Sequence, residues 1–204
     1  MISTNNILLL ASSSPSRQML LENAGIPFSL ITQSADEQVT ACQLTDTVLA
    51  IAHQKMAHVI LPDNLDISRP LFILTADTLV QNKEGRIQGK PTDIDDAVRM
   101  VKEAREGLEV STAFCLQKRV WQNNAWVVAE QHEEIVNAHC VVDIADNLII
   151  PYIQKANTMR CAGAIAIEKL GSSFLKSVSG SYSTIIGLPL FEVRQALTKM
   201  GFFE

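Results

Sequence analysis

Short unbroken apolar runs alternate with segments of helical period along the chain, which predicts an α/β fold. Ile7, Leu8, Leu9 and Leu10 form the first run, as expected of a strand covered on both faces. Ser14 then offers an N-cap, and Pro15 suits a first helical position because its missing N–H would be unpaired there anyway. The helix is expected to run to Ala24, with Leu20, Leu21 and Ala24 on its buried face and Gly25 as its left-handed stop. Residues 28–32 (FSLIT) read as a second strand, leading into the polar segment 33–37. Residues 45–60 have helical spacing, with Leu49, Ala52, Met56 and Val59 or Ile60 forming the stripe.

Turn formers and charge at 62–70 mark a surface connection before the strand 71–80, LFILTADTLV. Lys83, Glu84 and Gly85 form a hairpin turn, and Thr92 with Asp95 fits a capping box for a helix that buries Ile94, Ala97, Val98 and Val101. Two long strands, 109–118 and 126–143, are joined through Gln122, Asn123 and Asn124 as an antiparallel hairpin. Asp146 starts a helix towards Asn157, in which Pro151 should delay the start or bend the axis. A strand at 173–179, a loop at 180–184 and a final helix opened by Pro189 follow, the helix turning Val193, Ala196, Leu197 and Met200 inward. No internal repeat or low-complexity tract interrupts the pattern.

With 204 residues the chain can form one substantial α/β domain or two small lobes. Hydrophobic residues make up 47% and charged residues 19%, which argues against long disorder. The net charge of −5 lacks the basic excess that a duplex-binding protein uses to replace counterions, so nucleic acid is not an expected partner. A small anion held by a few local cations remains compatible with it. No basic segment followed by a long apolar core begins the chain, and no run reaches membrane-spanning length, so a cytoplasmic protein with neither secretory signal nor membrane partner is expected. The four cysteines, Cys42, Cys115, Cys140 and Cys161, are far apart and make no C-x-x-C pair, as expected of reduced thiols without a zinc site.

The first helix entrance is the leading candidate for chemistry. The hydroxyls of Ser12, Ser13 and Ser14 can point outward beside the positive end of the helix dipole, an arrangement suited to an anion. Arg17, one turn in, has a fork that can grip two phosphate oxygens. On this stretch alone, a well-capped helix with Arg17 solvated is the simpler reading. Lys55 lies off the stripe of its helix, and spacing favours an exposed lysine over one reaching sideways. His53 is expected at the surface or its boundary, and His132, Glu133 and Glu134 on a solvated strand face. Asp36 and Glu37 at a strand end are open to metal binding or simple solvation. Asp77, flanked by apolar residues within a buried strand, must find a cation or a raised pKa, and a functional role is favoured over a structural tie to backbone N–H groups. Lys90, between Gly89 and Pro91, suits neutralisation of a phosphate but is too local a signal to decide.

Together, ASSSPSR (11–17), ADT around Asp77, GKP around Lys90, CAG (161–163) and GSYSTIIGLPL (180–190) resemble the Maf family of nucleoside triphosphate pyrophosphatases, in the family's order and over nearly the whole chain. The resemblance implies a long twisted mixed sheet flanked by helices in two lobes of one domain, with a nucleotide in the central cleft. It implies hydrolysis between the α- and β-phosphates with magnesium or manganese, and a homodimer as found among relatives. Ser12, Ser14, Arg17, Lys55 and Lys90 would then meet the phosphates. Asp77 would be the general base and Glu37 would bind or support the metal, although which acid does which stays open. Ser16 stands where many members carry an arginine before the one at Arg17. Cys161 in CAG and Glu168 resemble the branch that hydrolyses 7-methyl-GTP, because a carboxylate accepts N–H donors from a guanine edge. Thr78 resembles the dTTP/UTP branch instead. The expectation leans to 7-methyl-GTP, with dTTP/UTP, or a catalytically weak nucleotide-binding regulator of cell division, as the alternatives.

Overall fold

The computed structural model describes residues 4–36 and 43–204. Its centre is a mixed seven-stranded sheet. β1 (Leu8–Leu10) is followed by α1 (Pro15–Asn23), β2 (Phe28–Leu30), β3 (Thr32–Gln33), α2 (Leu44–Ala57) and β4 (Val59–Ile60). β5 (Leu71–Asn82), β6 (Ile87–Gln88), α3 (Ile94–Glu103), β7 (Leu108–Gln122) and β8 (Ala125–Val142) come next. α4 (Asp146–Ala156), β9 (Leu175–Gly180), α5 (Tyr182–Ile186) and α6 (Leu190–Lys199) complete the order. The sheet runs β2-β1-β5-β7-β8-β9, with β6 paired to β5. β1 is parallel to both neighbours, whereas β5, β7, β8 and β9 are antiparallel in turn.

β5 runs through three apolar clusters. Phe72, Leu74 and Ala76 pack with α1 and α6 through Leu20, Leu21, Val193, Ala196 and Leu197. Leu71 and Ile73, on the other face of the strand by its period of two, pack with Leu9, Ile31 and Met56. Val80, farther along β5, belongs to a separate core with α3 and α4, including Ala97, Val101, Ile149 and Tyr152. Asp77 and Thr78 therefore sit on β5 where it passes from one core to the next.

Several expectations meet a different local solution. α2 buries Leu44, Thr47, Val48, Ile51, Ala52, Lys55 and Met56, so the buried face is centred one residue before the stripe predicted through Leu49. Lys55 lies on that face and is 6% exposed, which corrects the expected exposed lysine. The face is fixed by the Thr75 hydroxyl, which donates to the Ala52 carbonyl at 2.9 Å. α2 also stops at Ala57, and Val59 and Ile60 turn into a strand that pairs with β3. The box before α3 is displaced by one residue. Asp93 caps by accepting from the Asp96 amide at 2.8 Å, and Asp96 reaches back to the Thr92 amide at 3.0 Å. Pro151 does not delay α4, which starts at Asp146, because the carbonyl it leaves without an amide partner belongs to exposed Asn147. The segment read as a loop at 180–184 is mostly α5, capped by the Ser181 hydroxyl on the Thr184 amide. No described helix is long and apolar enough to cross a membrane.

Candidate active site

Ser14 caps α1 as its sequence predicts, with an extended backbone and a side chain accepting from the Arg17 amide. The Ser12 hydroxyl oxygen accepts from the Ser14 amide at 3.3 Å, so the corner is closed by its own serines. Arg17, however, is 7% exposed, against the expectation of a solvated charge. Its Nε donates to the Gly187 carbonyl at 2.8 Å, Nη1 to Ser12 Oγ at 3.0 Å and Nη2 to Thr78 Oγ1 at 3.2 Å. The fork expected to grip phosphate is turned towards these protein acceptors, because α1, β5 and the turn after α5 meet around it.

Those bonds continue inward in one direction. Thr112 Oγ1 gives its proton to the Thr184 carbonyl at 2.8 Å, so in the 2.9 Å contact between the two threonines Thr78 is the donor. Thr78 thus accepts from Arg17 and donates to Thr112, its cross-strand partner on β7. Gly187 lies against this chain at φ 125°, and a Cβ there would stand 3.4 Å from Thr78 Oγ1. Glycine meets both demands, the left-handed backbone and the close approach.

Lys55 and Asp77 form a buried ion pair, Nζ to Oδ1 at 2.7 Å, with 8% and 11% of their side chains exposed. Neighbouring helix and strand hold the two ends, so the carboxylate is oriented from behind while facing the same cavity as the serine corner. That cavity has a volume of about 990 Å³. Ser12, Ser14, Arg17 and Lys55 line one part of its wall; Asp77, Thr78, Lys90 and Glu168 line it too. Lys90 is exposed, on the loop that receives the Gly163 amide at the Gly89 carbonyl (2.9 Å). Glu37 lies outside the described residues. Lys155, Arg160 and Lys169 add positive charge to the wall.

Glu168 approaches from the segment after α4. Ser16 Oγ donates to its Oε1 at 2.8 Å across 152 positions of sequence, a contact no sequence pattern announces. Burial pushes the Cys161 thiol up to about 11, Glu168 raising it further and Lys90 lowering it. Cys161 is therefore a protonated part of the wall near neutral pH.

A hard cation such as magnesium needs only one or two protein carboxylates when phosphate oxygens and water complete its shell, and Asp77 is a carboxylate in that position. Among the described residues, no three His, Cys, Asp or Glu side chains gather into a closed metal cage. Asp77 thus offers one carboxylate of the kind that such a cation shares with a bound phosphate.

A family model described as Maf-like protein matches residues 7–200. A dTTP/UTP pyrophosphatase of Shewanella oneidensis is 35% identical over 201 residues, covering 95% of this chain and 98% of the relative. One from Anaeromyxobacter dehalogenans is 34% identical over 96% of this chain and 94% of its own length. A third, from Pseudoalteromonas atlantica, is 30% identical over 96% and 97% respectively.

Proposed function

The chain belongs to the Maf-like protein family, and from that premise we propose that it is a nucleoside triphosphate pyrophosphatase that acts on dTTP and UTP. The observation that carries this reading is the meeting of the α1 entrance, the Lys55–Asp77 pair and Lys90 on one cavity. A triphosphate brings roughly four negative charges, and a helix N-terminus with lysines placed around it offsets them where charge builds up.

In the proposed reaction, water attacks the α-phosphorus, the bond from that phosphorus to the bridging oxygen breaks, and pyrophosphate leaves with the electron pair. Asp77 takes the proton from the attacking water, with Lys55 fixing the direction of its carboxylate. Lys90 and the serine corner hold the tail, and Arg17 keeps Ser12 and Thr78 in place. Magnesium or manganese, held by Asp77 with Glu37 as a further ligand or support, would supply neutralisation of the phosphate oxygens.

The lean to 7-methyl-GTP, drawn from the CAG tripeptide and Glu168, gives way to dTTP/UTP. The named relatives and Thr78 favour the pyrimidine substrates, and one Glu168 oxygen is already engaged by Ser16. The test is pyrophosphate release from a panel of canonical and modified triphosphates with magnesium or manganese. Highest kcat/KM on dTTP and UTP is expected. A maximum on 7-methyl-GTP would overturn the substrate, and tight binding without turnover would favour a regulator.

A further inference from the structure

The polarity of the Ser12 hydroxyl is fixed by its neighbours. Its Oγ accepts from the Ser14 amide at 3.3 Å and from Arg17 Nη1 at 3.0 Å, which occupies both lone pairs of the oxygen. Among the described residues none accepts its proton, and Ser12 lines the cavity, so the O–H is left to the cavity as a donor. Arg17 holds this place through its other two bonds, Nε to the Gly187 carbonyl and Nη2 to Thr78 Oγ1. Thr78 presents Nη2 with a lone pair because its own proton is committed to Thr112. Thr112 is fully buried on β7, outside the cavity wall, and can take that proton because its own goes to the Thr184 carbonyl at 2.8 Å. The Gly187 amide donates to the same Thr184 carbonyl at 3.1 Å, so the bonds close into a ring through the end of α5.

We propose that Thr112 is a positioning residue that sets the polarity of the anion corner from behind. By taking the proton of Thr78 it keeps Arg17 on Ser12, and Ser12 becomes a one-way donor to a phosphate oxygen. Without the Thr112 hydroxyl, the acceptor left to Thr78 is the Gly187 carbonyl 3.5 Å away, where Arg17 Nε already donates. Turning there sets the Thr78 proton beside the guanidinium and draws its lone pairs away from Nη2. The inference rests on the pyrophosphatase reading above for its ligand, the phosphate tail.

The test is a double-mutant cycle on the full-length protein, read as binding of inorganic pyrophosphate with magnesium by titration calorimetry, which requires no turnover. Thr112→Val, nearly the same shape without the hydroxyl, should weaken pyrophosphate about tenfold, on the order of one hydrogen bond to a charged group, and Ser12→Ala at least as much. In the Ser12→Ala background, Thr112→Val should weaken binding by less than about twofold, because the donor it orients is gone. Thr112→Ser, which keeps the hydroxyl, should bind as the wild type does. A merely structural loss at Thr112 would lower the melting temperature and leave the two effects multiplying. Thr78→Val breaks the relay one residue nearer the cavity; it should show the same coupling to Ser12 and carries the test where Thr112→Val does not fold. Equal weakening in both backgrounds, a Thr112→Val variant that binds as the wild type does, a Thr112→Ser variant that behaves like valine, or wild-type protein that does not bind pyrophosphate would each overturn the assignment. Wild-type protein that shows the coupling but does not hydrolyse UTP would instead count against the hydrolase reading and leave the relay standing.

Discussion

Replacing Asp77 by asparagine keeps the shape of the side chain and removes its charge and its capacity to take a proton. Asp77 is 7% exposed and Lys55 6%, with Nζ and Oδ1 2.7 Å apart. Removing one partner of a buried pair costs about 3–5 kcal/mol, and because the pair lines a cavity that water can enter, the lower figure, about 3 kcal/mol, applies. For a chain of this length each kcal/mol moves Tm by about 2–4 °C, so scanning calorimetry should show a drop of roughly 6–12 °C with the protein still folded at 25 °C. Loss of a general base should lower kcat by about 10²–10⁴-fold in a pyrophosphate-release assay on UTP. The pair can be separated from its members by adding Lys55→Met. The double variant should be less destabilised than the sum of the single ones by about 1–3 kcal/mol, while remaining inactive. Turnover within a few fold of wild type, with additive stability losses, would refute both the proton-acceptor role and the coupling.

Other residues give sharper contrasts between binding and stability. Lys90→Ala, at an exposed position, should raise KM for UTP by about 10–100-fold, one charge-assisted hydrogen bond, with Tm nearly unchanged; steady-state kinetics beside a thermal melt checks both. Tyr152→Phe leaves the buried Ala166 amide and carbonyl without their hydroxyl, at about 1–3 kcal/mol each, and a urea denaturation curve should register the loss. With its pKa near 11, Cys161 carries the thiolate only well above neutral pH. At pH 8 it should alkylate about 200-fold more slowly than a free cysteine of ordinary pKa, and labelling followed by mass spectrometry would expose a faster reaction.

The parts of the fold that sequence made legible are those fixed by local chemistry. Ser14 and Pro15 set the start of α1, and Gly25, at φ 66°, sets its end. Asn123 and Asn124, both in left-handed conformations, form the turn between β7 and β8 as expected. Leu49 and Ile60 draw the apolar stripe read from the sequence to one side, away from Lys55. The spacing of Val48, Ala52 and Lys55 would have brought it to the buried face, at the cost of accepting a lysine there. α5 was hidden by its short length and polar composition, although Ser181 and Thr184 stand at capping distance. Arg17 on Gly187, Ser16 on Glu168 and Thr112 on Thr184 join positions 170, 152 and 72 residues apart, and such contacts follow only from the packing of whole elements.

The central claim is that one cavity holds a triphosphate so that water reaches its α-phosphorus, and hydrolysis of UTP in water enriched in oxygen-18 tests it most directly. UMP and pyrophosphate should form in equal amounts, with the heavy oxygen in UMP alone. UDP with inorganic phosphate, or the label in pyrophosphate, would contradict it.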